Sequence, residues 1–196
     1  EPLGSGGFGE VWKCDVPGGI YKAIKFVFGN LQGTENEAVR AEQELSALEP
    51  VTNIRHPFLV NVQRVQQIDG ELVIVMELAD KDLRDLLNEY RADGQVGIPR
   101  QELLSYMRDA AEALDLIHNQ HNLQHLDIKP SNLFLVSNRV KVADFGLVKA
   151  LEGRSPTSNS GLLGGITPAY ASPETFQGDL SKHSDQYSLA IVFQEL

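Results

Sequence analysis

The amino-acid sequence predicts an α+β fold in two parts, rich in strands before residue 78 and mainly helical after it. Three observations carry that expectation. The first 30 residues read as strands around a turn cluster, Asp15-Val16-Pro17-Gly18-Gly19. Two further apolar runs meet at Ile68-Asp69-Gly70, and Asp-Gly favours a tight hairpin. From Leu83 onward the apolar spacing changes to three and four, the period of a helix. The boundary is expected within Leu78–Lys81, which gives domains 1–78 and 79–196.

Each element has its own warrant. Glu10–Cys14 and Ile20–Val27 read as strands, with Tyr21, Ala23, Lys25 and Val27 on one face and Ile24 and Phe26 on the other. Asn30–Gly33 reads as a loop. Thr34–Leu48 reads as a helix with Ala38, Ala41, Leu45 and Leu48 at spacings of three and four, a Thr34/Glu37 capping box at its start and Pro50 beyond its end. Val60–Gln67 and Glu71–Glu77 are the next strands. Leu83, Leu86, Leu87 and Tyr90 mark a helix, and Ala92–Ile98 a loop. Pro99–His118 is the longest amphipathic helix, with Leu103, Leu104, Met107, Ala110, Ala111, Leu114 and Ile117 as its apolar positions. Short strands follow at Leu133–Val136 and Val140–Val142 around Ser137-Asn138-Arg139. Residues 150–166 read as a long loop and Ser184–Leu196 as an apolar helix. The chain has no internal repeat.

Composition sets outer limits. The 196 residues are 42% apolar and 22% charged, the mix of a globular domain rather than a disordered or fibrous chain. A net charge of −10 leaves no basic excess for nonspecific nucleic-acid binding or for docking on an anionic membrane face. A single cysteine, Cys14, excludes an internal disulfide and a multi-cysteine metal site and suits a reducing compartment. It reads as a half-buried strand residue. The longest apolar run, Leu189–Phe193, is far short of the roughly 18–20 residues of a membrane helix. There is no signal peptide. Glu1 in place of a Met, and a helix still running at Leu196, make both ends read as cuts.

The chemistry begins with Gly4-Ser5-Gly6-Gly7-Phe8-Gly9-Glu10-Val11, a G-x-G-x-x-G-x-V pattern. Such glycines let backbone N–H groups approach phosphates without a Cβ in the way. In a dinucleotide fingerprint the glycines would lead into a helix; here they lead into a second strand carrying Lys25. A phosphate-binding lysine needs a carboxylate to hold it. Glu44 is preferred over Glu37 and Glu42 because apolar residues follow it at one and four positions. In His125-Leu126-Asp127-Ile128-Lys129-Pro130-Ser131-Asn132, an acid, a cation and an amide oxygen stand at offsets that can orient a hydroxyl, neutralise a phosphoryl group and hold Mg²⁺. Asp144-Phe145-Gly146 supplies a further hard oxygen.

In this order the segments resemble the protein kinase family. The resemblance runs the length of the chain and takes in Thr167-Pro168-Ala169-Tyr170-Ala171-Ser172-Pro173-Glu174, similar to the end of an activation segment. It also takes in Ser184-Asp185-Gln186-Tyr187-Ser188-Leu189, similar to the start of the family's central buried helix. It implies a bilobal fold, β-rich N-lobe and helical, incomplete C-lobe, with ATP and Mg²⁺ in the cleft between them. By position, Lys25 would contact the α/β-phosphates and pair with Glu44. Asp127 would be the catalytic base, Lys129 would touch the γ-phosphate, and Asn132 and Asp144 would bind Mg²⁺. Gly4, Gly6 and Gly9 would cover the phosphates. Leu3, Val11, Ala23 and Phe134, with Ala143, would enclose the adenine, and Met76 would be the gatekeeper. Glu77 and Ala79 would offer backbone groups, and Asp82 would reach the ribose.

Lys129 and Thr167 resemble the serine/threonine class, and the wording of several segments looks like the bacterial branch. The implied partners are ATP and a protein substrate, with oligomeric state left open. The implied location is the cytoplasm, or the cytoplasmic domain of a larger, membrane-anchored protein. A pseudokinase and a small-molecule phosphotransferase of the same fold are the alternatives; intact Lys25, Asp127, Asn132 and Asp144 count against the first, and the segment from Thr167 to Glu174 against the second.

Three departures stand out. Leu126 replaces the arginine that usually receives an activation-loop phosphate, so activity is expected not to depend on phosphates at Ser155, Thr157, Ser158 or Ser160 read by that position. Ser172 replaces an alanine, with little expected consequence. The arginine that would pair with Glu174 lies beyond the chain, and the last helix is expected to expose Leu189, Ile191, Val192, Phe193 and Leu196 and leave the piece unstable or inactive. His125 is read as packing structurally; His118, His121 and His183 are given no role.

Overall fold

The computed structural model describes residues 1–6, 9–30, 34, 38, 39, 42, 45, 48, 50–144, 149, 150, 166–177, 179, 181 and 183–196. They form two compact units, Glu1–His56 with Val60–Ala79, and Pro57–Leu59 with Asp80–Leu196. Glu37, Ala41, Glu44, Phe145, Gly146, Ser155, Thr157, Ser158 and Ser160 lie outside the described residues, as does most of the loop expected over 150–166.

In the first unit β1 (Pro2–Gly6), β2 (Gly9–Val16), β3 (Ile20–Asn30), β4 (Val62–Ile68) and β5 (Glu71–Glu77) make one antiparallel sheet in the order β1-β2-β3-β5-β4. The glycine-bearing β1 has little strand propensity of its own; its pairing with β2, Gly6 opposite Gly9, makes it a strand. Asp69 and Gly70 take φ of 51° and 85°, both left-handed, as a two-residue hairpin loop requires. Alternation along β3 buries Ala23, Lys25 and Val27 together. Tyr21 shares their face but is 52% exposed, because it pairs with Asp15 at the turn end of the strand.

Residues 38, 39, 42, 45 and 48 are helical, and Ala38 N donates to Thr34 O at 2.9 Å. Leu45 keeps the helical spacing but is 39% exposed. It shares an outer side with exposed Glu42, three residues back, whereas Leu48 is buried where the chain turns, its carbonyl accepting from Val51 and Thr52.

In the second unit β6 (Lys81–Asp82) leads into α1 (Leu83–Ala92), and α2 (Arg100–His121) follows. Asp82 caps α1 by accepting from Asp85 N at 2.9 Å. Leu83 and Leu87 of α1 are fully buried, so truncating either to Ala costs about 2–5 kcal/mol. The helix α2 runs three residues past the expected His118 and stops at Asn122, whose φ of 53° forms a left-handed cap. Its inward stripe is Leu103, Tyr106, Met107, Ala110, Ala113, Leu114 and Ile117. Leu104 is 45% exposed, because a one-residue step turns it about 100° from Leu103.

Asp109, in the same stripe, is buried at 2% exposure because it takes three donors: Arg139 Nε at 2.8 Å, Arg139 Nη2 at 2.7 Å and Val140 N at 3.1 Å. Those bonds fasten β9 (Arg139–Val142) to α2. β9 pairs with β8 (Leu133–Val136), which pairs with β6; Ser137 and Asn138 turn at φ of 52° and 61°. β7 (Leu123–Gln124) pairs with β10 (Lys149–Ala150), so Ala150 is strand rather than loop.

The last helix, α3 (Ser184–Glu195), corrects one expectation. Val192 is fully buried and Leu196 is 6% exposed; of the five residues expected on the surface only Phe193, at 39%, is exposed, and Leu189 and Ile191 are intermediate. Ile98 N donates to Leu196 O at 2.8 Å and holds the helix end in place. A second correction concerns Ser172. It is 1% exposed and its hydroxyl bonds Thr175 Oγ1 at 2.8 Å, so an alanine would orphan a buried hydroxyl. Among the described residues no helix is long and apolar enough to cross a membrane.

Candidate active site

The first unit presents the glycines, the lysine and the hydrophobic positions. Gly4 and Gly6 lie on β1 and Gly9 on β2. Gly9 is required by close approach: a Cβ there would stand 2.2 Å from Phe26 O. At Gly4 nothing stands within 4 Å of the place a Cβ would take. Lys25 is 8% exposed and stands in register between Val11 of β2 and Ile74 of β5. Ala23 is buried, Val11, Met76 and Ala79 are half-buried, and Leu3 is 49% exposed. The Glu77 side chain is used structurally, since its Oε1 accepts from Asn61 N at 2.7 Å while its own N donates to Asn61 O at 3.1 Å. That use of the side chain was not legible in the sequence. Glu44 lies outside the described residues.

In the second unit the loop after β7 gathers its polar groups on Asp127, which is 8% exposed. One carboxylate oxygen, Oδ1, accepts from Thr167 Oγ1 at 2.7 Å and Thr167 N at 3.2 Å. The other, Oδ2, lies 2.7 Å from Lys129 Nζ and accepts from Asn132 Nδ2 at 3.0 Å. Thr167 Oγ1 also accepts from Lys129 Nζ at 3.1 Å. Four donor contacts from three side chains and one amide fix the plane of the carboxylate. Pro130–Asn132 forms a single 3₁₀ turn that carries Asn132 back to Asp127, where its Nδ2 also donates to Asp127 O at 2.8 Å. Both amide hydrogens of Asn132 serve Asp127, so Oδ1 is the atom through which Asn132 would bind a metal.

Asn132 O accepts from Ala143 N at 3.0 Å, so Asp144 follows directly on a residue bonded to Asn132. Asp144 is exposed and its φ is 63°, a left-handed conformation that few non-glycine residues adopt. An amide oxygen and a carboxylate are hard donors that fit Mg²⁺, whose remaining positions water and phosphate oxygens would fill. Phe134 pairs across the strands with Asp82. Burial, with Asp85 adding, pushes the Asp82 carboxyl above its ordinary range against the backbone bonds that oppose it.

Two residues of this region escaped the sequence reading. Asp185, fully buried at the start of α3, accepts from His125 N and Leu126 N, each at 2.8 Å. His118 Nε2 meets the same carboxylate at 2.8 Å, which gives a role to a histidine that had none. Burial raises the Asp185 pKa, but the bonds from His118 and the two amides outweigh it and hold the carboxyl below its usual range. The usable signal was an acid in the first turn of a helix whose apolar run is Leu189–Phe193. His125 is fully buried, as expected; its Nδ1 accepts from Asp127 N at 3.3 Å and its Nε2 donates to Ala143 O at 2.9 Å.

Glu174, expected to need a distant arginine, is held by hydroxyls, Ser184 Oγ at 3.0 Å and Ser181 Oγ at 3.5 Å. Hydrogen bonds, led by its own backbone N–H, keep its carboxyl below the usual range.

The protein kinase domain model matches residues 1–196. The chain belongs to the protein kinase domain family. Among its relatives this kinase domain is 29% identical over 201 residues to a probable serine/threonine-protein kinase PknB of Lactococcus lactis, covering 100% of the chain and 30% of that protein. It is 31% identical over 196 residues to serine/threonine-protein kinase PknF of Mycobacterium tuberculosis, 96% of the chain and 40% of that protein. It is also 31% identical over 204 residues to the human serine/threonine-protein kinase Nek11, 100% of the chain and 30% of that protein. The kinase domain therefore spans well under half the length of these relatives. The family in general uses ATP and Mg²⁺.

Proposed function

We propose that this domain transfers the γ-phosphoryl group of ATP to serine or threonine hydroxyls of protein substrates. The observation that carries the reading is the Asp127–Lys129–Thr167 triangle. Thr167 Oγ1 donates to Asp127 and accepts from Lys129. Those are the two bonds that a substrate hydroxyl needs, one to the base that takes its proton and one to the cation beside the transferring group.

In this reading Asp127 orients the attacking hydroxyl and receives its proton. Lys129 offsets charge on the γ-phosphate, and Thr167 is a positioning residue that holds both. Lys25 engages the α/β-phosphates, with Glu44 its proposed partner. Gly4, Gly6 and Gly9 present backbone to the phosphates. Leu3, Val11, Ala23, Met76 and Phe134 pack the adenine, Glu77 and Ala79 offer it backbone groups, and Asp82 serves the ribose. Asn132 and Asp144 would hold Mg²⁺, which when bound neutralises charge on the phosphate oxygens. Residues 1–78 are taken as the N-lobe and 79–196 as the C-lobe, acting in the cytoplasm.

The test is transfer of labelled phosphate from ATP–Mg²⁺ to a generic basic protein by the full-length protein, followed by phosphoamino-acid analysis. Phosphoserine or phosphothreonine is expected, abolished by Lys25→Met. Phosphotyrosine, or ATP–Mg²⁺ binding without transfer, would overturn the assignment.

A further inference from the structure

Glu10, Trp12 and Cys14 alternate along β2 with Val11 and Lys13, so the three project from one side of the sheet and the two from the other. Phe26 of β3 stands directly opposite Glu10 in the antiparallel register and shares its side. All four are half-buried. Together they line a shallow cavity of about 350 Å³, and Glu10 is the one charged residue in its wall among the described residues. The Glu10 carboxylate makes no ion pair and no hydrogen bond among the described residues. The neighbouring cations stand elsewhere. Lys13 Nζ lies 4.6 Å from the centre of the Tyr21 ring and 3.9 Å from Glu1 Oε2, and Lys22, opposite Cys14 in register, does not line the cavity.

We infer that this cavity is a docking site for an arginine side chain presented by a partner protein. The chemistry of the wall selects the occupant. An apolar group would cover the Glu10 carboxylate and strip its water with no compensating bond. A divalent cation needs several oxygen ligands, and one carboxylate beside a thiol falls short. A guanidinium answers both parts of the wall. It is planar and weakly hydrated, so it stacks on an aromatic ring while its edge donates two parallel bonds to a carboxylate. An ammonium is compact and strongly hydrated and does not combine the two. Free arginine brings a carboxylate of its own to a chain of net charge −10, whereas a residue within a polypeptide does not. Val11 and Lys25, assigned to the nucleotide, are paired in register on the other side of the sheet, so docking needs no nucleotide and is independent of the proposed phosphoryl transfer.

The experiment follows Trp12 by fluorine NMR in full-length protein labelled with fluorotryptophan; the signal missing from Trp12→Phe is its own. Three capped tripeptides are titrated, alike except for a central arginine, citrulline or norleucine. Citrulline keeps the shape of arginine and loses the charge. The arginine peptide is expected to shift the Trp12 signal to saturation with an affinity about tenfold or more above the other two, and added salt should narrow the gap. Glu10→Gln should bring the arginine peptide down to the level of citrulline. The peptide comparison needs no variant, so a Glu10→Gln protein that failed to fold would leave the test intact. Equal titration by arginine and citrulline, tighter binding of norleucine, no shift with any peptide, or wild-type affinity in a folded Glu10→Gln protein would each overturn the inference. So would a Trp12 signal that moves with protein concentration alone, because a second copy of the chain would then be the occupant.

Discussion

The segment from Ile166 to Tyr170 is held at its two ends by opposite means. Ile166 packs on Leu126, apolar against apolar. Four residues on, Tyr170 accepts from Arg84 Nη2 at 2.7 Å and donates to Glu195 Oε2, and Arg84 Nη1 also bonds Glu195 Oε1. The first contact has no titratable atom and the second is an ionic triangle, about a third exposed at Arg84 and Glu195. The difference separates two roles. A buried apolar contact fixes position under any ionic condition, whereas a part-exposed charge pair adds a modest contribution that salt and acid can remove. Thr167, the residue that meets Asp127, lies one residue from the apolar anchor and three from the ionic one.

The comparison can be broken at the point both anchors serve. Thr167→Ala should lower kcat roughly hundredfold, the scale of losing a positioned donor at a reacting group, while Thr167→Ser keeps most of it. Equal kcat in both variants would show that the hydroxyl is idle. At the ionic anchor, Arg84→Ala should cost about 1 kcal/mol in urea unfolding, discounted for solvent screening, and a loss above about 3 kcal/mol would mean that the triangle carries the fold.

The smallest effect is in pH. Burial raises the Glu195 carboxyl, but bonds from Arg84 and Tyr170 outweigh it and place it below its ordinary 4.5. A lowered carboxyl stabilises the folded state above that ordinary value, and the contribution fades as pH falls through the folded one. Burial first, and then the bond to Glu195, raises the Tyr170 phenol above 10.0, so its proton stays through alkaline titration up to that point and is lost only above it. Exchange at the Tyr170 amide should therefore quicken below about pH 4.5 while that at Ile166 does not. Parallel behaviour of the two amides would erase the distinction between the anchors.

The difference between local and distant partners also explains what the sequence disclosed. The Asp69-Gly70 hairpin, the α2 stripe and the spacing of Asp127, Lys129 and Asn132 depend on residues close in the chain, and all could be read from it. The bond of Arg84 to Glu195 spans 111 residues and that of Asp185 to His125 spans 60, so nothing near either residue announces its partner. Leu45 and Leu104 fit a helical period yet face outward, because period gives a face and only packing decides which edge of it is covered. Leu126 was legible as a missing charge but not as a contact with Ile166, 40 positions along the chain from it.

The most direct measurement is the single-turnover rate of phosphoryl transfer by Asp127→Asn, with ATP binding followed in the same sample. The account predicts ATP affinity close to wild type and a transfer rate lower by about a thousandfold or more. Transfer within tenfold of wild type would contradict it, because the carboxylate on which Thr167, Lys129 and Asn132 converge would then have no part in the reaction.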